Sequence, residues 1–467
     1  MGDTAATALQ WLALVEHELL LFAGFFFLIG AIDEFSMDLA WFWLRLTGQV
    51  ETPTLSRHNI HHRRLSGRAA VLVPTWQEAS VIGDTLRHAL SVWPQEDLRI
   101  YVGVYRNDPA TMEAAVHGAD GDGRVRIVVH DREGPSTKAD CLNRLYAALQ
   151  QDEMREGRDV RMVILHDAED MVDAAALALL DRSMGTSHFV QLPVLPMPQP
   201  RSRFIGSHYC EEFAEAHGKA MVVRNALGAS LPAAGVGCAF ERRMLAEIAR
   251  KVGHDAPFDE DSLTEDYELG IKVAALGGRS RFLRVRGEDG HLIATRAYFP
   301  SQLGRAVRQK ARWMHGIALQ GWDRLGWTGG PGEWWMRSRD RRGPLSALVL
   351  FVGYFLIVLG LVLSGLDLAG LTVPWQPSPL LLALLALNVA SFVWRAFMRF
   401  TFTREEYGWR EGLWAVARIP VANVISIMAG YRALFAYTRT LRGEAAEWEK
   451  TAHDAHPARP LSLEISR

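Results

Sequence analysis

Between residues 68 and 296 the chain alternates two hydrophobic rhythms. "AAVLVP" (69–74), "RIYVGVY" (99–105), "RVRIVVH" (124–130) and "RMVILHD" (161–167) are short β-rich runs of the length of buried strands. Between them, "SVIGDTLRHAL" (80–90, with Ser80 as its N-cap) and residues 111–116, 138–149 and 174–184 carry apolar positions at helical spacing. Such alternation predicts an α/β unit: a mostly parallel sheet with helices on both faces and any ligand at the carboxyl ends of the strands. "SLTEDYELGIKVAALGG" (262–278) predicts an amphipathic helix, capped either by Ser262 with Glu265 or by Thr264 alone and ended by glycine. "RAVRQKARWMHGIALQGW" (305–322) predicts a basic, aromatic helix.

Outside this region the rhythm gives way to long apolar runs. Residues 345–366 carry no charge, and a helix over them reaches ~30 Å, the thickness of a bilayer core. Residues 379–394 are shorter, with aromatic and basic residues at the end, so the two read as a membrane hairpin. "LLLFAGFFFLIGAI" (19–32) has neither a basic stretch before it nor a small-residue cleavage site after it, and reads as an uncleaved membrane helix. "FSMDLAWFWLRL" (35–46) after it reads as an interfacial amphipathic segment. Residues 413–437 are apolar but interrupted by Arg418, Pro420 and Arg432; because arginine deep in a bilayer is costly, we expect them at the interface rather than across it. Three spans are therefore expected.

Charge adds an orientation. Arg57, Arg63, Arg64 and Arg68 follow the first apolar run, "RSRDRR" (337–342) precedes the hairpin, and Arg395, Arg399, Arg404 and Arg410 follow it. The hairpin's connecting loop, 367–378, has no Lys or Arg, which puts the middle region on the cytoplasmic side. A net charge of −2 gives no sign of nucleic-acid binding. Three widely spaced cysteines exclude a disulfide framework and a zinc site, and reduced thiols suit the cytoplasm.

The candidate chemistry sits at strand ends. "HDAED" (166–170) crowds Asp167, Glu169 and Asp170 where an apolar run stops; this is either a solvated turn or a place for a divalent cation, which favours hard oxygen ligands and shares its site with phosphates. "PTWQEA" and "YRNDPAT" end two other strands, which suggests one shared crevice. "TED" (264–266) has acids at a helix start, where the helix dipole favours them in any protein. "QKARW" (309–313) fits a surface helix or a membrane-anchoring one, and a lone Lys138 in "GPSTKADCLN" would ordinarily face solvent.

Taken together and in order, Pro74-Thr75-Trp76-Gln77-Glu78, Asp167-Ala168-Glu169, Thr264-Glu265-Asp266 and Gln309-Lys310-Ala311-Arg312-Trp313 resemble the signatures of membrane-embedded family 2 glycosyltransferases. "VGVYRNDPAT", "GPSTKADCLN", "HDAED" and "AEWEKTAH" (446–453) resemble most the phage-adsorption glycosyltransferases of the NfrB type. The resemblance covers about residues 10 to 455. It implies a GT-A (Rossmann-like) cytoplasmic domain at 67–300, after an N-terminal membrane helix and interfacial segment at 1–66. Amphipathic interface helices follow at 301–343, the transmembrane hairpin at 344–396, and a membrane or interfacial helix with a tail at 397–467.

The implied activity is transfer of a sugar from a UDP-sugar, with Mg²⁺ or Mn²⁺, to a growing cell-surface polysaccharide at the bacterial inner membrane. Transfer of one sugar to a polyprenyl phosphate or other lipid-linked acceptor is the alternative. By the same resemblance Pro74, Thr75 and Glu78 border the nucleotide, Asp108 meets its base or ribose, Lys138 lies near the phosphates, and Asp167 and Glu169 hold nucleotide and metal. Asp266, beside Glu265, is the general base; Gln309, Arg312 and Trp313 close over the site, with Trp313 stacking on the acceptor sugar. "AAGVGCAF" (233–240) forms part of the acceptor pocket. Departures are Glu169 at the second carboxylate position and Gln77 where Asn is usual. Relatives of this type continue into a domain that binds cyclic di-GMP; the sequence ends at Arg467, so that domain is expected to be missing and any regulation or export to need a partner protein.

Overall fold

The computed structural model describes residues 2–253, 255–370, 377–444 and 456–458. Seven strands form the central sheet: β1 (Arg68–Pro74), β2 (Leu98–Val104), β3 (Val125–Val129), β4 (Val160–Leu165), β5 (Phe189–Gln191), β6 (Cys238–Glu241) and β7 (Ser280–Phe282). Their order is β3-β2-β1-β4-β6-β5-β7, parallel except for β6, which runs antiparallel to both neighbours. Strand periodicity sorts the core into two layers. Val71, Val73, Ile100, Val102 and Ile164 pack on Ile82 and Leu86 of helix Ile82–Val92 and on Leu177 and Leu180 of helix Ala176–Ser183. Ala70, Leu72, Tyr101, Val163 and Leu165 point the other way, onto Leu142, Leu145 and Leu149 of helix Lys138–Glu156 and Ile248 of helix Arg242–Val252. Each fully buried aliphatic side chain is worth roughly 1.5–3 kcal/mol, so both faces hold the sheet firmly.

The four central β-runs and their helices fall where the hydrophobic rhythm predicts, within a few residues. One cap does not: Val81, not Ser80, occupies the N-cap of helix Ile82–Val92. Of the two caps open for helix Glu265–Ala275, Thr264 occupies the N-cap position, without a side-chain cap bond, and the Ser262 hydroxyl donates to Glu268. The same helix ends as expected, with Gly277 at a φ of +75°.

The N-terminal segment differs more. Instead of a membrane helix followed by a separate interfacial piece, Gly2–Leu46 is one helix of 45 residues. No proline interrupts it, so its ~67 Å length outruns a ~30 Å hydrocarbon core. The continuation is held by ion pairs to the rest of the protein. Asp33 meets Arg339 and Arg342 and accepts from Trp335 Nε1 at 2.6 Å; Glu34 meets Arg395 at 3.0 Å; Asp38 pairs with the buried Lys219 at 2.5 Å.

The hairpin helices are Gly343–Leu368 and Pro379–Tyr407; most of the loop between them, and the "AEWEKTAH" segment, lie outside the described residues. Residues 413–437, expected at the interface, divide at Arg418 into Trp409–Ala417 and Ile419–Thr440. The buried Arg418 sits at the break, paired with Glu211 at 2.8 Å and Glu411 at 2.6 Å. Its charge is thus met within the protein, and Ile419–Thr440 is itself long and apolar enough to cross a bilayer. With Trp11–Leu46 and the hairpin, four helices meet that criterion among the described residues, one more than the three expected.

Candidate active site

The register of the sheet brings the ends of β1, β2 and β4 level, with Leu72 beside Leu165 and Pro74 beside Gly103. A cleft with about 620 Å³ of open space, its solvent mouth included, lies at these ends. From the sequence-predicted set, Pro74, Thr75, Glu78, Lys138, Asp167, Glu169, Gln309 and Arg312 all line it. Residues more than 230 positions apart in the sequence thus line one cleft.

The loop after β1 is fixed by hydrogen bonds from the neighbouring strand end. Thr75 Oγ1 donates to Gly103 O at 2.6 Å, and Glu78 N donates to Thr111 Oγ1 at 2.9 Å. Gln77 adopts a φ of +54°, a left-handed conformation that Asn takes more readily than Gln. Asp108 holds it there: one carboxylate oxygen accepts Gln77 N–H at 2.5 Å, and the other accepts Thr111 N–H at 3.4 Å as the cap of helix Pro109–Ala119. Asp108 is therefore absent from the cleft lining and engaged with backbone, where a contact to the nucleotide base was expected.

After β4 the chain turns sharply through the acids. Asp170 is buried and faces away from the cleft; its Oδ2 meets His166 Nδ1 at 2.7 Å and accepts Asp167 N–H at 3.0 Å. Burial pushes its carboxyl upward while His166 opposes the rise. Asp167 and Glu169 are left on the cleft wall. Asp167 Oδ1 meets Lys138 Nζ at 2.6 Å. Lys138 begins helix Lys138–Glu156, at the end where a cation opposes the helix dipole. Burial lowers its pKa, but Asp167, Glu265 and Asp266 outweigh that, and the ammonium is held well above the ordinary lysine range.

Glu265 and Asp266 open helix Glu265–Ala275 and stand behind Lys138 rather than on the cleft lining. Burial, the first cause, pushes the carboxyls of both upward, Glu265 to about 7; for Glu265 the neighbouring Asp266 adds to the rise, and Lys138 and Arg312 draw both back. Gly235, at a φ of +75°, brings its backbone against Asp266, and a side chain there would collide with Oδ2. Gly237, at +60°, does the same beside Thr295. The glycines of "AAGVGCAF" thus admit Asp266 and Thr295 closely.

Gln309 and Arg312 are three residues apart on helix Leu303–Trp313 and so share a face, toward the cleft. Gln309 Oε1 and Arg312 Nε are buried without a hydrogen-bond partner among the described residues. Trp313, about 100° further round the helix, faces away and packs with Tyr209, Phe213 and Phe299 at centroid distances of 6.1–6.4 Å. The expected sugar-stacking residue is therefore part of an apolar cluster here.

Sequence reading missed Trp76, Tyr105, Thr137 and Cys141, which also line the cleft. Trp76 and Tyr105 meet edge to face at 5.2 Å, and Tyr105 stacks on His130 at 4.9 Å. Trp76 lies inside the "PTWQE" run and Tyr105 directly follows a strand, so position alone was the available signal.

Comparison with known proteins decides the class. The family model described as "Glycosyltransferase like family 2" matches residues 67–316, over half of the chain. The chain belongs to that family. This glycosyltransferase is 32% identical over 451 residues to the "Bacteriophage adsorption protein B" of Escherichia coli, and equally so to its counterpart in a second strain. Those matches cover 91% of this chain but only 60% of each relative, so the glycosyltransferase spans well under the relatives' full length. Among solved structures, the mannosyltransferase PcManGT of Pyrobaculum calidifontis, determined with GDP-Man and Mn²⁺, shares the fold at a TM-score of 0.53. It is 16% identical, and the match covers 90% of this chain and 99% of that one. The glycosyltransferase therefore has a GT-A fold joined to helices suited to a membrane.

Among the described residues no three His, Cys, Asp or Glu side chains gather as a metal cage. Two carboxylates on one wall of a cleft are nonetheless what Mg²⁺ or Mn²⁺ uses when substrate phosphates and water complete the shell. Asp167 and Glu169 fit that role.

Proposed function

We propose that the protein is an inverting glycosyltransferase that passes a sugar from a UDP-sugar to a growing cell-surface polysaccharide, with its catalytic domain on the cytoplasmic side of a bacterial inner membrane. The observation that carries this reading is the convergence of Lys138, Asp167, Glu169, Gln309 and Arg312 on one cleft, with Glu265 and Asp266 against Lys138. Cations and carboxylates this close together suit an anionic leaving group and a proton acceptor working together. The basic runs at 337–342 and 395–410 support the orientation.

In this mechanism the diphosphate rests against Lys138 and Arg312. Asp266 takes the proton of the acceptor hydroxyl as that oxygen bonds to the anomeric carbon. The bond from that carbon to the diphosphate oxygen breaks, and its electron pair leaves with UDP. Attack opposite the leaving group inverts the configuration. Burial raises the basicity of Asp266, the direction a proton acceptor needs, while Lys138 and Arg312 oppose the rise. Asp167 and Glu169 would hold a divalent cation, which would supply positive charge to offset that of the diphosphate.

The test is a panel of UDP- and GDP-sugars offered to the detergent-purified protein with Mn²⁺, with Mg²⁺, or with EDTA, reading nucleotide release and labelled product. Metal-dependent release from one UDP-sugar supports the proposal, and product size separates polymer from transfer to a lipid phosphate. Release from a GDP-sugar alone, or equal release in EDTA, contradicts the corresponding part.

A further inference from the structure

Along the backbone at the cleft acids and just after them, most carbonyl groups are bound by side chains or by a neighbouring strand. Thr85 Oγ1 donates to Ala168 O, His88 Nε2 to Val172 O at 2.9 Å, and Trp93 Nε1 to Asp173 O at 3.0 Å. Met171 is bridged in both directions to Arg296, at 2.7 and 2.9 Å. All of these partners lie within residues 67–316, the span of the family domain. The carbonyl of Asp170 is the exception. Its partner is His456 Nε2 at 3.3 Å, 286 residues along the chain.

Three features make this more than a passing contact. His456 is 1% exposed, and its ring lies beside that of His88. Its other nitrogen, Nδ1, accepts Ala458 N–H at 3.1 Å, which fixes the neutral tautomer with the proton on Nε2, the form that donates to a carbonyl. The carbonyl it binds belongs to the residue whose carboxylate fixes Asp167 N–H and His166. A hydrogen bond to its oxygen restrains this peptide, and with it the turn on which Asp170 holds its carboxylate and Asp167 and Glu169 face the cleft.

We propose that His456 is a positioning residue of the donor site: by binding the Asp170 carbonyl it sets the turn that presents Asp167 and Glu169, and so links occupancy of the cleft to docking of the chain beyond the catalytic domain. This rests on the nucleotide-sugar reading of the cleft. Outer partners of this sort ordinarily change ligand affinity by ten-fold or more when removed.

The experiment is calorimetric UDP binding to the full detergent-purified chain at several Mn²⁺ concentrations, for the wild type, His456→Ala and His456→Gln, with thermal unfolding of each. A glutamine carries an amide N–H close to where Nε2–H stands. We expect His456→Ala to weaken Mn²⁺-dependent UDP binding roughly ten-fold, His456→Gln to recover most of it, and all three to unfold within a few degrees of one another. Wild-type affinity in His456→Ala overturns the proposal, as does a loss shared by both variants together with a fall in unfolding temperature, which marks a structural role only. A wild type that binds no UDP overturns the nucleotide-sugar reading itself, and this inference with it.

Discussion

Gly235→Ala is a small change at a place where little can give. The glycine has a φ of +75°, and an added Cβ would lie 3.1 Å from Asp266 Cγ, 3.4 Å from its Cβ and well inside contact distance of Oδ2. Left-handed backbone costs an L-residue about 1–2 kcal/mol. To reach ordinary contact the carboxylate must also retreat by about 1 Å, and a displacement of that size at a catalytic group costs on the order of 10²-fold in rate. It cannot retreat freely, because its other oxygen accepts Tyr267 N–H at 2.7 Å. Asp266 does not line the cleft, so donor binding is spared. Steady-state kinetics of UDP release, with calorimetric UDP binding alongside, should show kcat about 100-fold lower and UDP affinity within about three-fold. An unchanged kcat would refute the placement of the base. Equal loss of binding and turnover would refute the separation of base from donor cleft.

Other sites give further expectations. Lys138→Met removes the cation shared by Asp167, Glu265 and Asp266; breaking a buried pair costs about 3–5 kcal/mol, and the partial exposure of Asp167 reduces this to about 2–3. UDP affinity should then fall at least about ten-fold by calorimetry, and intact affinity would contradict the role of the ammonium. Asp108→Ala deletes a helix cap and frees Gln77, so unfolding should come at about 1–2 kcal/mol lower stability with a raised donor KM; an unchanged unfolding midpoint would show that Asp108 does not hold the loop. Burial lowers His208 to about 3, with Lys310 adding to the effect, and His217 to about 4, both below the unfolded value of 6.5. Their contribution is whole above about 6.5 and is lost as pH falls toward those values, about 2 kcal/mol for each at pH 5. Denaturation of the solubilised protein between pH 7 and 5 should therefore be less pH-dependent in His208→Asn and His217→Asn; identical slopes would contradict this.

The sheet was legible because its strands are buried on both faces and read as continuous apolar runs, and the acids that end β4 broke that pattern in plain view. Asp167, Glu169, Gln309 and Arg312 line one cleft, as the family resemblance implies. What escaped was decided by contacts distant in sequence. Nothing near Asp108 marks it as the residue that holds Gln77 in a left-handed turn. Trp313 stands next to Arg312 in the chain but on another face of the helix, and the aromatic partners that claim it come from residues 209, 213 and 299. Residues 35–46 read as a separate interfacial piece, because the arginines and lysine that neutralise Asp33, Glu34 and Asp38 lie hundreds of residues away. Arg418 misled for the same reason.

The central claim is that Asp266 takes the acceptor's proton in a cleft that binds the donor without it. The direct measurement is UDP binding and UDP release for the wild type and Asp266→Asn, side by side, with the donor that the panel identifies. The variant is expected to bind UDP as the wild type does and to release it from the sugar at least about 10³-fold more slowly. Wild-type turnover in Asp266→Asn would contradict it.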